Sequence, residues 1–333
     1  MKKIVLVGGL GFIGHNLAMY LKNKGHEVSI IDSLSVNNIL NFNDSDILNK
    51  NLYRAILNNR IDMMNEFGVK LMIEDARNYH QLSKLINNSN PDVIVHLAAV
   101  SHANRSNKTP HDTFDHSLRT LENVLDISKD LGCRLVYMSS SMVYGDFNGK
   151  SVNEETLCKP KGIYGSLKYA GEIIIKSYSE VFNLPYSIVR PSALYGERCV
   201  SRRVGQIFIE NIIQGKELII NGDGNEKLDF TYITDLIDGI EKCCVSDNAL
   251  NQTFNITFGQ GRKIKELIEI LKTEFNNIKV KYNERDNLMP ERGTLSNEKS
   301  IKLLGYKSNY PIEKGYVEYI KWYKKFWNDH NKI

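Results

Sequence analysis

Apolar residues in this chain come in short runs that alternate with longer stripes at helical spacing. Ile4 to Val7 is a run of aliphatic and β-branched residues, as a strand buried on both faces requires. Phe12, Ile13, Leu17, Ala18 and Leu21 then recur every three or four positions, Gly25 closes the helix they predict, and Val28 to Ile31 is a second strand. A polar, asparagine-rich stretch over 33–51 and a helical stripe over 53–67 (Ile56, Ile61, Met64, Phe67) delay the third strand to 70–73. That insertion is long for a compact unit. It is expected to cover a bound ligand, to reach a partner subunit, or to be a surface elaboration without function. A helix over 79–86, a strand over 93–99, a helix over 113–131 stopped by Gly132, and a strand over 134–139 follow. A helix from Tyr164 to about Phe182 and a sixth strand over 186–190 complete the series. Strands alternating with helices in this way predict an α/β fold with a doubly wound parallel sheet, ligands gathering at the carboxyl ends of its strands.

From residue 191 the pattern changes to shorter elements. Helices are expected over 204–214, 235–243 and 264–275, strands over 218–220 and 253–256, and an aromatic-rich helix over 316–327. The chain is therefore divided into a nucleotide-binding domain over 1–190, with segments near 228–250 returning to it, and a smaller mixed α/β lobe over 191–333.

The turn between the first strand and first helix carries Gly8, Gly9, Gly11 and Gly14, and Asp32 ends the second strand. Glycines there permit a tight turn and let the backbone approach a pyrophosphate, and the helix N-terminus offers free N–H groups to it. Asp32 is placed to accept from both ribose hydroxyls of NAD. A glycine pattern alone is weak; strand, glycines, helix, strand and acid in this order within one unit make a dinucleotide site the expected reading over a plain tight turn. Ala98 and Ala99, small residues at a strand end, allow a ligand to come close. Tyr164 and Lys168 share one helix face, and an ammonium one turn from a phenol favours phenolate, a general base for an alcohol. An exposed aromatic–lysine pair would look the same; the serine-rich strand end 139–141 and the nucleotide unit favour catalysis.

The chain has 333 residues, of which 42% are hydrophobic and 25% charged, with a formal net charge of +4. The charge is too mild and scattered for nucleic acid. No apolar run approaches a membrane span, and no signal peptide is expected. Five cysteines (Cys133, Cys158, Cys199, Cys243 and Cys244) without paired spacing read as free thiols in a reducing cytoplasm. His102, His111 and His116 match no zinc pattern, so no metal is expected.

Taken together, V-G-G-L-G-F-I-G, Asp32, D-A-R, H-L-A-A, S-S-S-M-V-Y-G, Y-G-S-L-K, V-R-P-S-A-L-Y-G, the G-D-G turn, D-F-x-x-I-x-D, and Arg292-Gly before L-G-Y resemble the extended short-chain dehydrogenases/reductases. The resemblance is to their NAD-dependent epimerase/dehydratase group, which acts on nucleotide sugars, and it covers nearly the whole chain. It implies that Gly8, Gly11 and Gly14 carry the pyrophosphate, with Phe12 and Ile13 beside them. Asp32 would hold the adenosine ribose and favour NAD over NADP. Asp75 and Ala76 would approach the adenine, and Leu97, Ala98, Ala99, Ser139 and Pro191 would line the dinucleotide. Tyr164 would take a proton from the carbon-4 hydroxyl, Lys168 would hold the nicotinamide ribose, and Ser140 would hydrogen-bond that hydroxyl, with Ser141 and Met142 beside the sugar.

Departures from the group's pattern narrow the chemistry. Dehydratases and decarboxylases of the group carry an acid immediately before V-Y-G, and 3,5-epimerase/reductases a cysteine; this chain has Met142, which cannot move protons. Ala193 stands where many members have an asparagine, and Leu228 where many have an arginine on the diphosphate. Lys227, Arg202, Arg203 or Arg292 is then expected to supply the cation. The implied activity is a nucleotide-sugar 4-epimerase. The alternative is a 4-dehydrogenase or 4-ketoreductase with exchanged nicotinamide; a 4,6-dehydratase or a non-catalytic NAD-binding protein stands further off. The resemblance also implies a homodimer through the helices from Thr113 and Tyr164, with Leu121, Leu125, Ile173 and Tyr178 as candidates for the contact.

Overall fold

Alternation along the strands decides how the sheet is covered. In β1 (Lys3–Val7), Ile4 and Leu6 point to one face and Val5 and Val7 to the other, and all four are buried. The computed structural model describes residues 1–43, 48–100, 103–285 and 289–330. After β1 come α1 (Phe12–Asn23), β2 (Glu27–Asp32), α2 (Lys50–Glu66), β3 (Lys70–Ile73), α3 (Tyr79–Ser89) and β4 (Val93–His96). Next are α4 (Thr120–Leu131), β5 (Arg134–Met138), α5 (Gly162–Phe182), β6 (Tyr186–Arg190), α6 (Val204–Ile213), α7 (Ile233–Val245), β7 (Gln252–Asn255), α8 (Ile264–Glu274) and α9 (Ile312–His330).

The seven strands form one parallel sheet in the order β7-β6-β5-β4-β1-β2-β3. On one face, Ile4, Leu6, Ile30, Val95, Val136 and Val189 pack against α1 (Leu17, Ala18, Leu21) and α7 (Leu236, Ile240, Cys243). On the other, Val5, Val7, Ile31, Ile94 and Ile188 meet α3 (Leu82, Ile86), α4 (Leu121, Val124, Leu125) and α5 (Ile175). Strand order reverses between β1 and β4, so a crevice opens at their carboxyl ends.

A separate core lies in the lobe, where α6, α8 and α9 contribute Phe208, Ile209, Leu267, Leu271, Tyr316, Tyr319 and Tyr323. The insertion belongs to it: Tyr53, Ile56 and Leu57 of α2 are buried in the same cluster. The segment is thus no mere surface elaboration.

Several element bounds differ from expectation. The helix expected over 113–131 is interrupted: Pro110–Phe114 is α-helical, Asp115–Arg119 is a π-helical turn, and α4 resumes at Thr120. The extra backbone of a π-turn rotates the side chains that follow, and here His116 and Thr120 reach the central cleft. β4 ends at His96, two to three residues early, although the Leu97 N–H still donates to the Val7 carbonyl (2.8 Å). Leu121 and Leu125 are buried within the chain, packed with the sheet, and Leu121 also lines a surface cleft with Phe114, Ile174 and Tyr178. On α5, Ile173 (51% exposed) and Ile174 (37%) face outward, as do Phe114 (52%) and Phe182 (49%). Among the described residues no helix is long and apolar enough to cross a membrane.

Candidate active site

A cleft of about 600 Å³ runs from the glycine turn across the strand ends to the lobe. Its first wall is backbone. Gly8 has φ +78°, and a Cβ there would stand 2.5 Å from the Ala98 nitrogen. A Cβ on Gly14 would stand 2.3 Å from the Gly9 carbonyl oxygen. The turn therefore closes only without side chains at these positions. Gly11 precedes α1, and no side chain caps that helix, so its first N–H groups stay free for an anion. Phe12, Ile13, Leu97, Ala98 and Ala99 line the same wall.

Asp32 is nearly buried. Its Oδ2 accepts from the Leu10 N–H (2.9 Å) and its Oδ1 from the Leu34 N–H (2.8 Å). Burial raises its pKa, opposed by those two N–H groups and by the Arg60 charge. A carboxylate has about four acceptor sites, so capacity for hydroxyls remains. Asp75 and Ala76 border the cleft beyond it. Burial pushes the Asp75 carboxyl up, but hydrogen bonds from Arg77 outweigh it and leave the pKa lowered. The Asn123 amide donates to the Ala76 carbonyl (2.9 Å) and pins this edge.

The second wall holds the titratable groups. α5 places Tyr164 and Lys168 one turn apart, both lining the cleft. Lys168 Nζ donates to the Met138 carbonyl (2.7 Å) and lies 4.9 Å from the centre of the Tyr137 ring. Burial pushes its ammonium down to about 8, opposed by Glu172. Tyr164 corrects the sequence reading: burial raises its pKa, and what opposes burial is the Arg203 charge and a hydrogen bond with Ser140. The net lowering expected beside Lys168 is not found: the phenol stays above its ordinary pKa.

The serines have separate duties. Ser140 Oγ accepts from the Met142 N–H (3.2 Å), which caps the 3-10 turn Ser141–Tyr144. Ser141 Oγ donates to Ser192 Oγ (3.3 Å), and the Ser141 N–H to the Pro191 carbonyl (2.9 Å). Ser139, expected to line the dinucleotide, lines the cleft, and its hydroxyl donates to Glu172 Oε1 (2.5 Å). Met142 borders the cleft and is 7% exposed.

Glu172 was missed by sequence reasoning. It is fully buried and paired with Arg190, Nη2 to Oε2 at 2.6 Å and Nε to Oε1 at 2.9 Å. Its signal was present: it stands one turn past Lys168 on the same helix face. Removing one partner of such a pair leaves a buried charge unmatched.

The third wall is cationic. Arg203, Lys227 and Arg292 line the cleft; Arg202, predicted with them, does not. Arg202 adopts φ +49° and is exposed, its N–H donating to Gln206 Oε1 (2.9 Å), so the turn presents Arg203 instead. Burial and the nearby Arg203 push Arg292 down to about 10. Ala193, at φ +33°, and Leu228 also border the cleft. Among the described residues no group of His, Cys, Asp and Glu could hold a metal ion; His111 is exposed, and His102 lies outside the described residues.

The comparisons with known proteins agree with this geometry. The model of the NAD dependent epimerase/dehydratase family matches residues 4–257. The chain belongs to that family. UDP-glucuronate 4-epimerase 4 of Arabidopsis thaliana is 25% identical over 99% of this chain and 77% of its own length. The dTDP-D-glucose 4,6-dehydratase of Homo sapiens is 26% identical over 99% of this chain and 91% of its own. The crystal structure of UDP-glucuronic acid 4-epimerase from Bacillus cereus, with UDP-glucuronic acid and NAD, superposes with a TM-score of 0.85. It is 24% identical and covers 97% of this chain and 99% of that one, which speaks for the fold. As a family member the protein is NAD-dependent, and its glycine turn, uncapped α1 and Asp32 fit the dinucleotide.

Proposed function

We propose that the protein is a nucleotide-sugar 4-epimerase that keeps NAD through its cycle. The observation that carries this reading is the Ser140, Tyr164 and Lys168 set in one cleft with Met142, and no acid, immediately before Val143-Tyr144-Gly145. NAD, when bound between the glycine turn and Lys168, supplies the hydride acceptor. Tyr164 takes the proton of the carbon-4 hydroxyl, and Ser140 holds that oxygen. The Arg203 charge and the Ser140 hydrogen bond oppose the burial that holds the Tyr164 phenol above its ordinary pKa. Arg203, Lys227 and Arg292 are positioned for the diphosphate, where paired cations offset its desolvation. Met142 offers no proton, so the chemistry stays at carbon 4 and the ketone is reduced again on its other face.

The test is to denature protein purified without added cofactor and identify the released nucleotide by mass spectrometry. Native protein is then incubated with UDP-, GDP-, CDP- and dTDP-sugars while absorbance near 340 nm is followed. Retained NAD and a new sugar isomer without net absorbance change are expected. Sustained NADH formation with a keto product would instead mean a dehydrogenase.

A homodimer through the outward face of α5 accompanies this reading, with Ile173, Ile174 and the cleft between Phe114 and Tyr178 as its contact. Sedimentation at micromolar concentration is expected to show a species of twice the 38.1 kDa chain.

A further inference from the structure

The insertion carries a buried arginine that joins the cofactor turn to the lobe. Arg60, on α2, is 1% exposed and borders the cleft. Its Nη1 donates to the Leu10 carbonyl (3.2 Å), inside the glycine turn, and its Nη2 to the Arg198 carbonyl, in the loop that opens the lobe. Its Nε has no partner among the described residues. The two carbonyls lie 188 positions apart in sequence, and this guanidinium bridges them.

The loop returns the contact. Arg198 Nε donates to His15 Nε2 (3.3 Å) and Nη2 to Asn16 Oδ1 (3.4 Å), both on α1 just past the turn. At its far end the same loop is gripped by α2 again. The Arg202 N–H donates to Gln206, Gln206 donates to Glu210 (2.7 Å), and the Tyr53 hydroxyl donates to Glu210 (2.7 Å). Cys199, Val200, Ser201 and Arg203 of this loop line the cleft.

We propose that Arg60 is a positioning residue that couples the cofactor turn to the lobe's 196–203 loop, so that filling the turn orders the loop. The planar fork of arginine holds two carbonyls on two separate nitrogens in one fixed geometry, which the single rotatable ammonium of a lysine does not. A buried guanidinium left without one of those acceptors would be costly, so the turn and the loop are held to one mutual placement. Ordering of one half then lowers the entropic cost of engaging the other, a coupling that is reciprocal by linkage. The insertion's role is this bridge. The inference rests on the family's NAD dependence and not on the identity of the sugar.

Hydrogen exchange on the full chain, with and without saturating NAD, tests it. In the parent protein NAD is expected to slow exchange at the turn and, by tenfold or more, at the amides of 196–203. In Arg60→Met, NAD still protects the turn, but the protection of 196–203 is lost; Arg60→Lys restores it only in part. Equal protection of 196–203 in parent and Arg60→Met would overturn the proposal, as would a parent loop that NAD leaves unchanged. Should Arg60→Met fail to fold, Arg60→Lys is read by itself: it keeps the buried charge but not the two-nitrogen fork, and undiminished protection of 196–203 there would overturn the proposal equally. A parent that binds NAD and transmits to the loop, yet converts no nucleotide sugar, would sink the proposed activity and leave this inference standing.

Discussion

The two ends of the cleft are built on opposite plans. At the glycine turn the functional groups are backbone N–H groups, and the sequence contributes chiefly by leaving side chains out: Gly8 and Gly14 have no room for a Cβ. At the lobe the cleft is lined by long cations, Arg203, Lys227 and Arg292, the groups proposed to meet the diphosphate. Between them stands α5 with Tyr164 and Lys168. A backbone site is fixed in shape and takes one kind of ligand; a side-chain site keeps its charge while its geometry drifts. This contrast fits a family that holds one cofactor and varies its substrate; Leu228 and Ala193 border the side-chain end of the cleft.

The largest expected effect lies where the two plans meet. Tyr164→Phe removes the proposed base and should lower turnover by about 10² to 10⁴. NAD released on denaturation should be unchanged, since the phenol is not what holds the turn. Loss of NAD instead would mean that the two ends are not separable.

Within the backbone end, Gly14→Ala should cost about 3 kcal/mol or more of stability and abolish NAD retention, because its Cβ meets a carbonyl oxygen at 2.3 Å. Gly11→Ala, whose nearest neighbour is at 3.4 Å, should melt close to the parent. Equal effects in thermal melts would show that the turn is read by sequence pattern rather than by space.

Lys168 sharpens the comparison through pH. Its folded pKa of about 8 lies below the ordinary 10.5. Below pH 8 folded and unfolded chains both hold the proton, and the fold bears the cost of burying the charge. Between pH 8 and 10.5 only the unfolded chain holds it, so stability rises with pH. In cofactor-free protein the parent should gain on Lys168→Met across that window, by at most about 3 kcal/mol. Urea unfolding at pH 7, 8, 9 and 10 measures it; parallel curves would place the ammonium in solvent.

The smallest effect is expected at the side-chain end. Arg292→Met should raise KM about 10- to 100-fold, the value of one charge-assisted contact, with kcat little changed. A fall in kcat at constant KM would assign Arg292 to the chemistry rather than to the diphosphate.

Much of this was legible in one dimension. The run Ile4 to Val7, the glycines and Asp32 specify a strand, a turn and an anion site through local sterics and hydrogen bonding alone. Tyr164 and Lys168 could be placed on one helix face by counting. Their electrostatics could not: Lys168 was expected to depress Tyr164, whereas burial raises the phenol and Arg203, from another segment, opposes it. Ser139 likewise lines the cleft as expected, but its hydroxyl donates to Glu172, a partner one dimension did not show. Arg202 and Arg203 are adjacent, and only the backbone turn at φ +49° decides which of them faces the cleft.

By itself, then, the sequence determined the strands and helices, the cofactor turn and the shared helix face of Tyr164 and Lys168, because each depends on neighbours within a few residues. Tertiary structure alone decided which cations meet, that Glu172 pairs with Arg190, and that the insertion joins the lobe core while Arg60 spans from Leu10 to Arg198. Those outcomes depend on burial and on contacts between segments far apart in the chain, and no local periodicity encodes either.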